Sequence, residues 1–432
     1  DIRGVYGDAL TDDLAFKIAR AFATFTKCKK VVVGRDMRPH SEPLFKALAK
    51  GLTMHGADVI DIGMCSTPMS YYANGKLGAD SSIMITASHN PGEWNGFKLC
   101  REKAIPISGA TGIHDIEAIA TKGTFAPEAK KAGKISTYDI LPEYRKHVAK
   151  LADFKRPIKI AVDFANAMGI YEAKAFDGIL TVDPLFDKLD GTFPNHEANP
   201  LKTETLHEIQ KKIKAGKYDF GVAFDGDADR AGFIDEKGNV VAMDIITSLV
   251  AQDLLSHEKG VIFYDLRSSW AVKEVILENG GKPMMSRVGH AFIKQQMRDN
   301  NAIFAGELSG HYYFRDNYFT ESSSMAAICV ANIVSRSKKP LSELIKPLLR
   351  YHASGEINMT VSDSAKVLAT LKKKYGDGKL FELDGVSVEY KDWWFNVRAS
   401  NTEPLIRLNL EAKTADLMKN KRDEILGIMK KA

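Results

Sequence analysis

The chain has 432 residues, 44% of them hydrophobic and 27% charged, long enough for two to four ordinary domains with buried cores and too mixed for a disordered polymer. Its 60 basic against 55 acidic residues leave a net charge of +5 spread along the whole length, too mild for a nucleic-acid partner and at most favourable to small anions. No apolar stretch approaches the ~18 residues of a membrane span, and Asp1-Ile2-Arg3-Gly4 begins nothing like a signal peptide, so no membrane and a cytoplasmic location are expected.

The first third alternates strand and helix. Strands are predicted at Lys30–Gly34, Asp58–Gly63 and Ser82–Thr86, with helices over Glu42–Met54 and Met69–Leu77 between them. Continuous apolar strands separated by helices predict a largely parallel sheet covered on both faces. The same grammar returns in Ile158–Asp163 and Phe220–Phe224, which flank a helical Thr203–Ala215. It returns again in Gly260–Tyr264, Pro283–Ser286 and Ala302–Ala305, alternating with helices over Trp270–Glu278 and Ala291–Arg298. Beyond residue 353 it changes. Strands at Glu356–Val361, Val386–Tyr390, Trp394–Val397 and Leu405–Leu410, with helices at Ser364–Lys374 and Ala415–Lys430, predict a small α+β unit. The joints fall near Gly133, Gly238 and Ser354, giving domains 1–133, 134–238, 239–353 and 354–432. Cys28, Cys65, Cys100 and Cys329 show no metal or redox spacing and read as buried thiols. The chain opens on Asp1 rather than Met, so a few leading residues are expected before it.

Four segments offer chemistry. Thr86-Ala87-Ser88-His89-Asn90-Pro91 puts a hydroxyl on a turn just beyond a strand's C-terminal end, where open α/β sheets place their ligands. As a phosphoryl carrier, Ser88 needs exposure and nearby cations, for which Arg3 and Lys98 are candidates; an idle serine in an Asx-type turn is the alternative. Asp225-Gly226-Asp227-Ala228-Asp229-Arg230 alternates three carboxylates, which in extended backbone point the same way and suit a hard cation such as Mg²⁺. A solvated acidic turn or a calcium loop is the competing reading. Gly306-Glu307-Leu308-Ser309-Gly310-His311 places Glu307 and Ser309 to bond sugar hydroxyls, while His311 equally suits a cap or packing; His290, after Arg287-Val288-Gly289, reads similarly but between strand and helix favours site lining. Arg398-Ala399-Ser400-Asn401-Thr402-Glu403-Pro404, with Arg407 on the next strand, suits the oxygens of a phosphate monoester, or else a helix cap.

In this order the four segments closely resemble the α-D-phosphohexomutase superfamily, and within it the bacterial phosphomannomutase branch, over nearly the whole chain. The resemblance implies three α/β domains with mixed, mostly parallel sheets and a C-terminal α+β domain around a central cleft. It implies that Ser88 carries the phosphoryl group and, with Asp225, Asp227 and Asp229, holds Mg²⁺. Arg3 and Arg230 would line the phosphoserine, and Lys98 and His89 would be acid/base or charge-stabilising groups. Glu307 and Ser309 match the sugar loop, joined by His311, Arg287, Gly289 and His290 along the cleft; Arg398, Ser400, Asn401, Thr402 and Arg407 match a clamp for the distal phosphate. Leu308 resembles the apolar residue of mannose and glucose mutases. Arg267 stands where many relatives carry Lys, and Asn166–Asp183 is shorter than usual, which puts the second domain's helix in question.

The activity this implies is reversible conversion of mannose 6-phosphate to mannose 1-phosphate through a hexose 1,6-bisphosphate, with phosphoglucomutase or dual activity as the alternative. Lys98 is the expected base, on condition that cations such as Arg3 lower its pKa. The partners implied are small hexose phosphates, and the assembly a monomer or homodimer.

Overall fold

The computed structural model describes residues 1–399 and 405–431. Its strands form four sheets, and the first three share one plan. In the first, Asp58–Met64, Lys30–Arg35 and Ser81–Ile85 run parallel, and Trp94–Arg101 and then Ile2–Val5 add antiparallel to the edge. In the second, Thr181–Leu185, Lys159–Asp163 and Phe220–Phe224 are parallel, followed by antiparallel Ala231–Ile234 and Val240–Val241. In the third, Lys282–Ser286, Val261–Asp265 and Phe304–Gly306 are parallel, followed by antiparallel Tyr312–Phe314 and Thr320–Glu321. Each time, the connection from the last parallel strand to the first antiparallel one is a chemistry-bearing loop: Ser88, Asp225–Arg230 and Glu307–His311 respectively. Three loops therefore occupy one topological position, at the carboxyl end of a central strand.

The parallel strands are covered on both faces, which is why their apolar runs are continuous: Val31, Val32 and Val33 are all fully buried. One hydrophobic core runs unbroken from Val32 and Met69 through Val162 and Phe224 to Ile246 and Ile328, so the first three sheets share an interior. The fourth sheet is antiparallel throughout and has a core of its own. Alternation splits its two faces. Trp393, Phe395 and Val397 pack with Ile406, Leu408 and Leu410 against helices Ser364–Lys374 and Ala415–Lys431. The residues between them (Trp394, Asn396 and Arg398; Arg407, Asn409 and Glu411) point to the other side, where Glu411 accepts from Trp394 Nε1 and from the Trp270 N–H of the third unit, and Arg398 pairs with Glu356.

Several expectations need correcting. Ile2–Val5 and Trp94–Arg101 were not anticipated as strands, because an antiparallel edge alternates less cleanly than the parallel centre; they carry Arg3 and Lys98. The strand Ile135–Thr137 joins the first sheet beside Asp58–Met64. The helix at Thr203 opens as a 3₁₀ turn to Leu206 before the α-helix His207–Ala215. In Asn166–Asp183 the helix is reduced to Gly169–Ala173 plus the turn Lys174–Phe176. All four cysteines are buried and free. Among the described residues no helix is long and apolar enough to cross a membrane.

Candidate active site

Ser88 follows the central strand Ser81–Ile85 with a φ of 52°, a left-handed conformation that costs a non-glycine residue about 1–2 kcal/mol. Its turn is held from outside. The buried Arg38 guanidinium donates to the carbonyls of Ser88 (3.0 Å), Asn90 (2.7 Å), Pro91 (2.6 Å) and Trp94 (2.9 Å), and is itself fixed by Asp36 (3.1 Å). Thr86 Oγ1 accepts from the Ser88 N–H at 2.9 Å, and Arg3 Nη1 donates to Asn90 Oδ1 at 2.6 Å.

Ser88 is not exposed, as a carrier hydroxyl was expected to be. Only 1% of it meets solvent, because the aspartate loop of the second sheet lies against it. Gly226 makes that approach possible: a Cβ there would sit 2.2 Å from the Ser88 carbonyl oxygen. The hydroxyl donates to Asp225 Oδ2 at 2.9 Å and lies 3.1 Å from His89 Nδ1. Burial, with Arg230 and Arg3 nearby, lowers the His89 pKa to about 2, so its ring is neutral.

The three aspartates converge through a tight turn and not through extended backbone. Ala228 takes a φ of 60°, its N–H bonds Asp225 O at 3.2 Å, and the Asp225 N–H bonds Arg230 O at 3.3 Å. Two helix N-termini hold this turn. Thr67, next to the N-cap Ser66, bonds Asp227 through both its N–H (2.9 Å) and its hydroxyl (2.6 Å), while Ser323, next to the N-cap Ser322, bonds Ala228 O at 3.0 Å. Behind them Ser66, Ser324 and Tyr144 all donate to the fully buried Glu172.

Asp225, Asp227 and Asp229 are at most 2% exposed, and one oxygen from each lies within 4.8 Å of the others. Asp227 Oδ1 is buried with no hydrogen-bond partner among the described residues, a cost a protein avoids unless something else satisfies the atom. An all-oxygen, all-carboxylate donor set with an unsatisfied buried acceptor fits a hard divalent cation. The positive charge that the structure does place there is Lys98, 2.6 Å from Asp227 Oδ2 and in contact with Asp229. Burial alone would lower its pKa, but the two carboxylates outweigh burial and Arg3 and raise it well above the ordinary lysine range. Among the protein's own groups Lys98 is thus raised and not lowered: Arg3 acts in the expected direction and loses to two closer charges.

From here contacts run without a break to the far end of the site. His311 stands between Asp229 (3.3 Å) and Glu307 (3.0 Å); against burial, Asp229 leads in raising its pKa to about 9. Arg230 Nε lies 3.2 Å from the same ring and Ser309 Oγ 2.9 Å. Glu307 accepts from Tyr313 OH at 2.6 Å and from the Gly289 N–H at 3.1 Å, which brings Arg287-Val288-Gly289-His290 to the sugar loop. Arg287 lies over the Phe292 ring at 4.1 Å, and His290 sits 6.4 Å, ring to ring, from His311. The Leu308 N–H bonds Asp265 Oδ2 at 2.7 Å, Asp265 grips Arg267 at 2.7 Å, and Arg267 meets Glu356 at 3.3 Å. Glu356 in turn faces Arg398 at 3.3 Å and Arg407 at 3.6 Å. Ser400, Asn401 and Thr402 lie outside the described residues.

Models of four domains match the chain in order: phosphoglucomutase/phosphomannomutase alpha/beta/alpha domain I over residues 1–127, domain II over 142–238, domain III over 242–351 and the C-terminal domain over 356–428. The chain belongs to the phosphoglucomutase/phosphomannomutase family. It is 39% identical to a phosphomannomutase of Escherichia coli, covering 100% of this chain and 98% of the relative, and 40% identical to one of Methanocaldococcus jannaschii, covering 100% and 96%. Among solved structures, a phosphoglucomutase/phosphomannomutase family protein of Burkholderia thailandensis superposes with a TM-score of 0.92 at 32% identity, covering 100% of this chain and 96% of that one.

Family membership leaves several working residues that motif reading missed. Arg38 sits in Arg35-Asp36-Met37-Arg38, and a charged cluster directly after a strand was the available signal. Asp265 lies two residues before Arg267, which is named above. Glu356 and Glu172 had no signal: a lone glutamate at a strand start or in a short helix is ordinary until the fold shows what surrounds it.

Proposed function

We propose that this protein is an isomerase, a phosphomannomutase that interconverts mannose 6-phosphate and mannose 1-phosphate by way of a phosphorylated Ser88. The observation that carries the reading is the unbroken line of contacts from Ser88 through the aspartate turn, His311, Glu307 and Arg267 to Arg398. A group-transfer centre at one end and a cationic clamp at the other are what a hexose bearing two phosphates requires.

The phosphoryl group leaves Ser88 Oγ as its P–O bond breaks and a new one forms to the free hydroxyl of the bound hexose monophosphate, whose proton passes to Lys98 as base while Ser88 Oγ takes up a proton to become a hydroxyl again. The resulting hexose 1,6-bisphosphate turns around and returns its other phosphate to Ser88. Asp225, Asp227 and Asp229 would hold Mg²⁺, which when bound would supply positive charge to the transferring oxygens and would compete with Lys98 for those carboxylates, favouring Lys98 as the base. Arg3 and Arg230 flank the reacting phosphate, and the neutral His89 donates or accepts at Ser88 Oγ. Glu307 and Ser309 take the sugar hydroxyls, Arg287, Gly289, His290 and His311 line their loop, and Arg267, Arg398, Ser400, Asn401, Thr402 and Arg407 hold the distal phosphate.

A grip through Glu307 and Ser309 on hydroxyls that mannose and glucose share reads C2 weakly. One hydrogen bond there is worth about 1 kcal/mol, about fivefold in rate, so activity on glucose phosphates accompanies the main reaction. The test is a coupled assay with mannose 1-phosphate and glucose 1-phosphate, given hexose 1,6-bisphosphate, alongside mass spectrometry of the purified protein. Turnover of mannose 1-phosphate with one phosphoryl group on Ser88 supports the reading; a hydrolysed sugar phosphate and no modified serine defeats it.

A further inference from the structure

We propose that Glu356 is a resident counter-anion of the phosphate clamp, competing with the distal phosphate and so limiting how tightly that phosphate is held. The inference rests on the clamp assigned above. Arg398 and Arg407 are directly opposed across neighbouring strands, an arrangement in which like charges repel. Both extend from the polar face of the fourth sheet towards Arg267, whose own charge Asp265 already balances at 2.7 Å. Among the described residues Glu356, at the foot of the adjacent strand Ile357–Thr360, contacts all three guanidiniums.

Its contacts, at 3.3, 3.3 and 3.6 Å, are longer than the 2.7–2.9 Å of a committed charge-assisted bond. Asn409 Nδ2, at 3.4 Å, is equally loose. The carboxylate is thus shared among donors, and Arg398 Nε is buried without a hydrogen-bond partner among the described residues. The Glu356 and Arg407 side chains are 25% and 27% exposed, so a phosphate arriving from solvent meets this group of charges on that side. A phosphate dianion brings more acceptor oxygens than a carboxylate and displaces these loose contacts, but the negative charge of Glu356 remains beside it. The bisphosphate must leave this clamp and re-enter it by its other end in every cycle, and a hold weakened by one fixed like charge permits that exchange.

Glu356→Gln removes the charge and keeps the shape. Titration with inorganic phosphate, followed by calorimetry and by the rise in melting temperature, should show binding about tenfold tighter than in the parent. In turnover, KM for the hexose monophosphate should fall together with kcat, because release becomes slower. Glu356→Asp, which retains the charge, should not tighten phosphate binding. Unchanged or weaker phosphate binding in Glu356→Gln overturns the proposal and makes Glu356 a scaffold for the arginines. The phosphate titration needs no turnover, so it reads the clamp even if the sugar assay fails. If Arg398→Ala leaves phosphate binding intact, the clamp is misassigned and the proposal falls with it.

Discussion

At the Ser88 end of the site two carboxylates of the aspartate turn hold one ammonium, whereas at the Arg398 end three guanidiniums face one carboxylate. Among the described residues, each of these two charges is gripped by more than one group of the opposite sign. The ends differ in burial. Lys98 is 6% exposed and its carboxylates are sealed, while Glu356 is 25% exposed. Electrostatic interactions at the sealed end are less screened, which suits chemistry; those at the open end are weaker and exchangeable, which suits a ligand that must turn around. The scaffolding follows the same division. The loops of the reactive end belong to units sharing one core, whereas the clamp belongs to a unit with its own core, joined through polar contacts such as Trp270 Nε1 to Glu389 (3.0 Å) and Arg267 to Glu356 (3.3 Å).

Substitutions can break this contrast in graded ways. The largest effect belongs to Ser88→Ala, which should cut mutase turnover by on the order of 10⁴-fold or more if Ser88 carries the phosphoryl group as proposed. Activity near the parent's in the coupled assay would remove Ser88 from the carrier role. Next, Asp227→Asn should weaken Mg²⁺ by at least about tenfold, read by a metal titration of activity and of melting temperature. A superimposable titration curve would separate the turn from the metal. Arg398→Ala, at the open end, should raise KM by about tenfold to a hundredfold while leaving kcat closer to the parent's, the cost of a charged hydrogen bond. A loss confined to kcat would mean that the two ends are not divided into reaction and holding.

The smallest effect is the pH response of the bridge between them. Against burial, Asp229 and Glu307 raise the His311 pKa to about 9, above imidazole's ordinary ~6.5. A group with a raised folded-state pKa contributes its full stabilisation below the unfolded value and loses it as pH rises through the folded one. Metal-free protein should therefore lose melting temperature between pH ~6.5 and about 9, and His311→Asn should flatten that stretch of the curve. An identical slope in both proteins would assign the loss to other groups.

Much of this was legible beforehand wherever a local rule applied. The parallel strands, buried on both faces, announce themselves as runs such as Lys30-Val31-Val32-Val33, and helices Trp270–Glu278 and Ser364–Lys374 fall where the sequence pattern places them, with Ser269 and Asp363 capping them in the structure. The edge strands that carry Arg3 and Lys98 were missed because their pairing partner, not their own pattern, makes them strands. The clamp's Ser400, Asn401 and Thr402 were named from sequence and lie outside the described residues.

Taken alone, the order of residues determined the alternating architecture, the change of grammar near residue 353 and the identity of the chemical groups, because periodicity and turn chemistry act over a few neighbours. Charge state was decided elsewhere. That Lys98 is held as a cation, that Ser88 is buried beneath Gly226, and that Glu356 sits among three arginines all depend on loops far apart in sequence arriving within a few ångströms of one another. Electrostatic energy falls off with distance through space, and distance along the chain does not enter it.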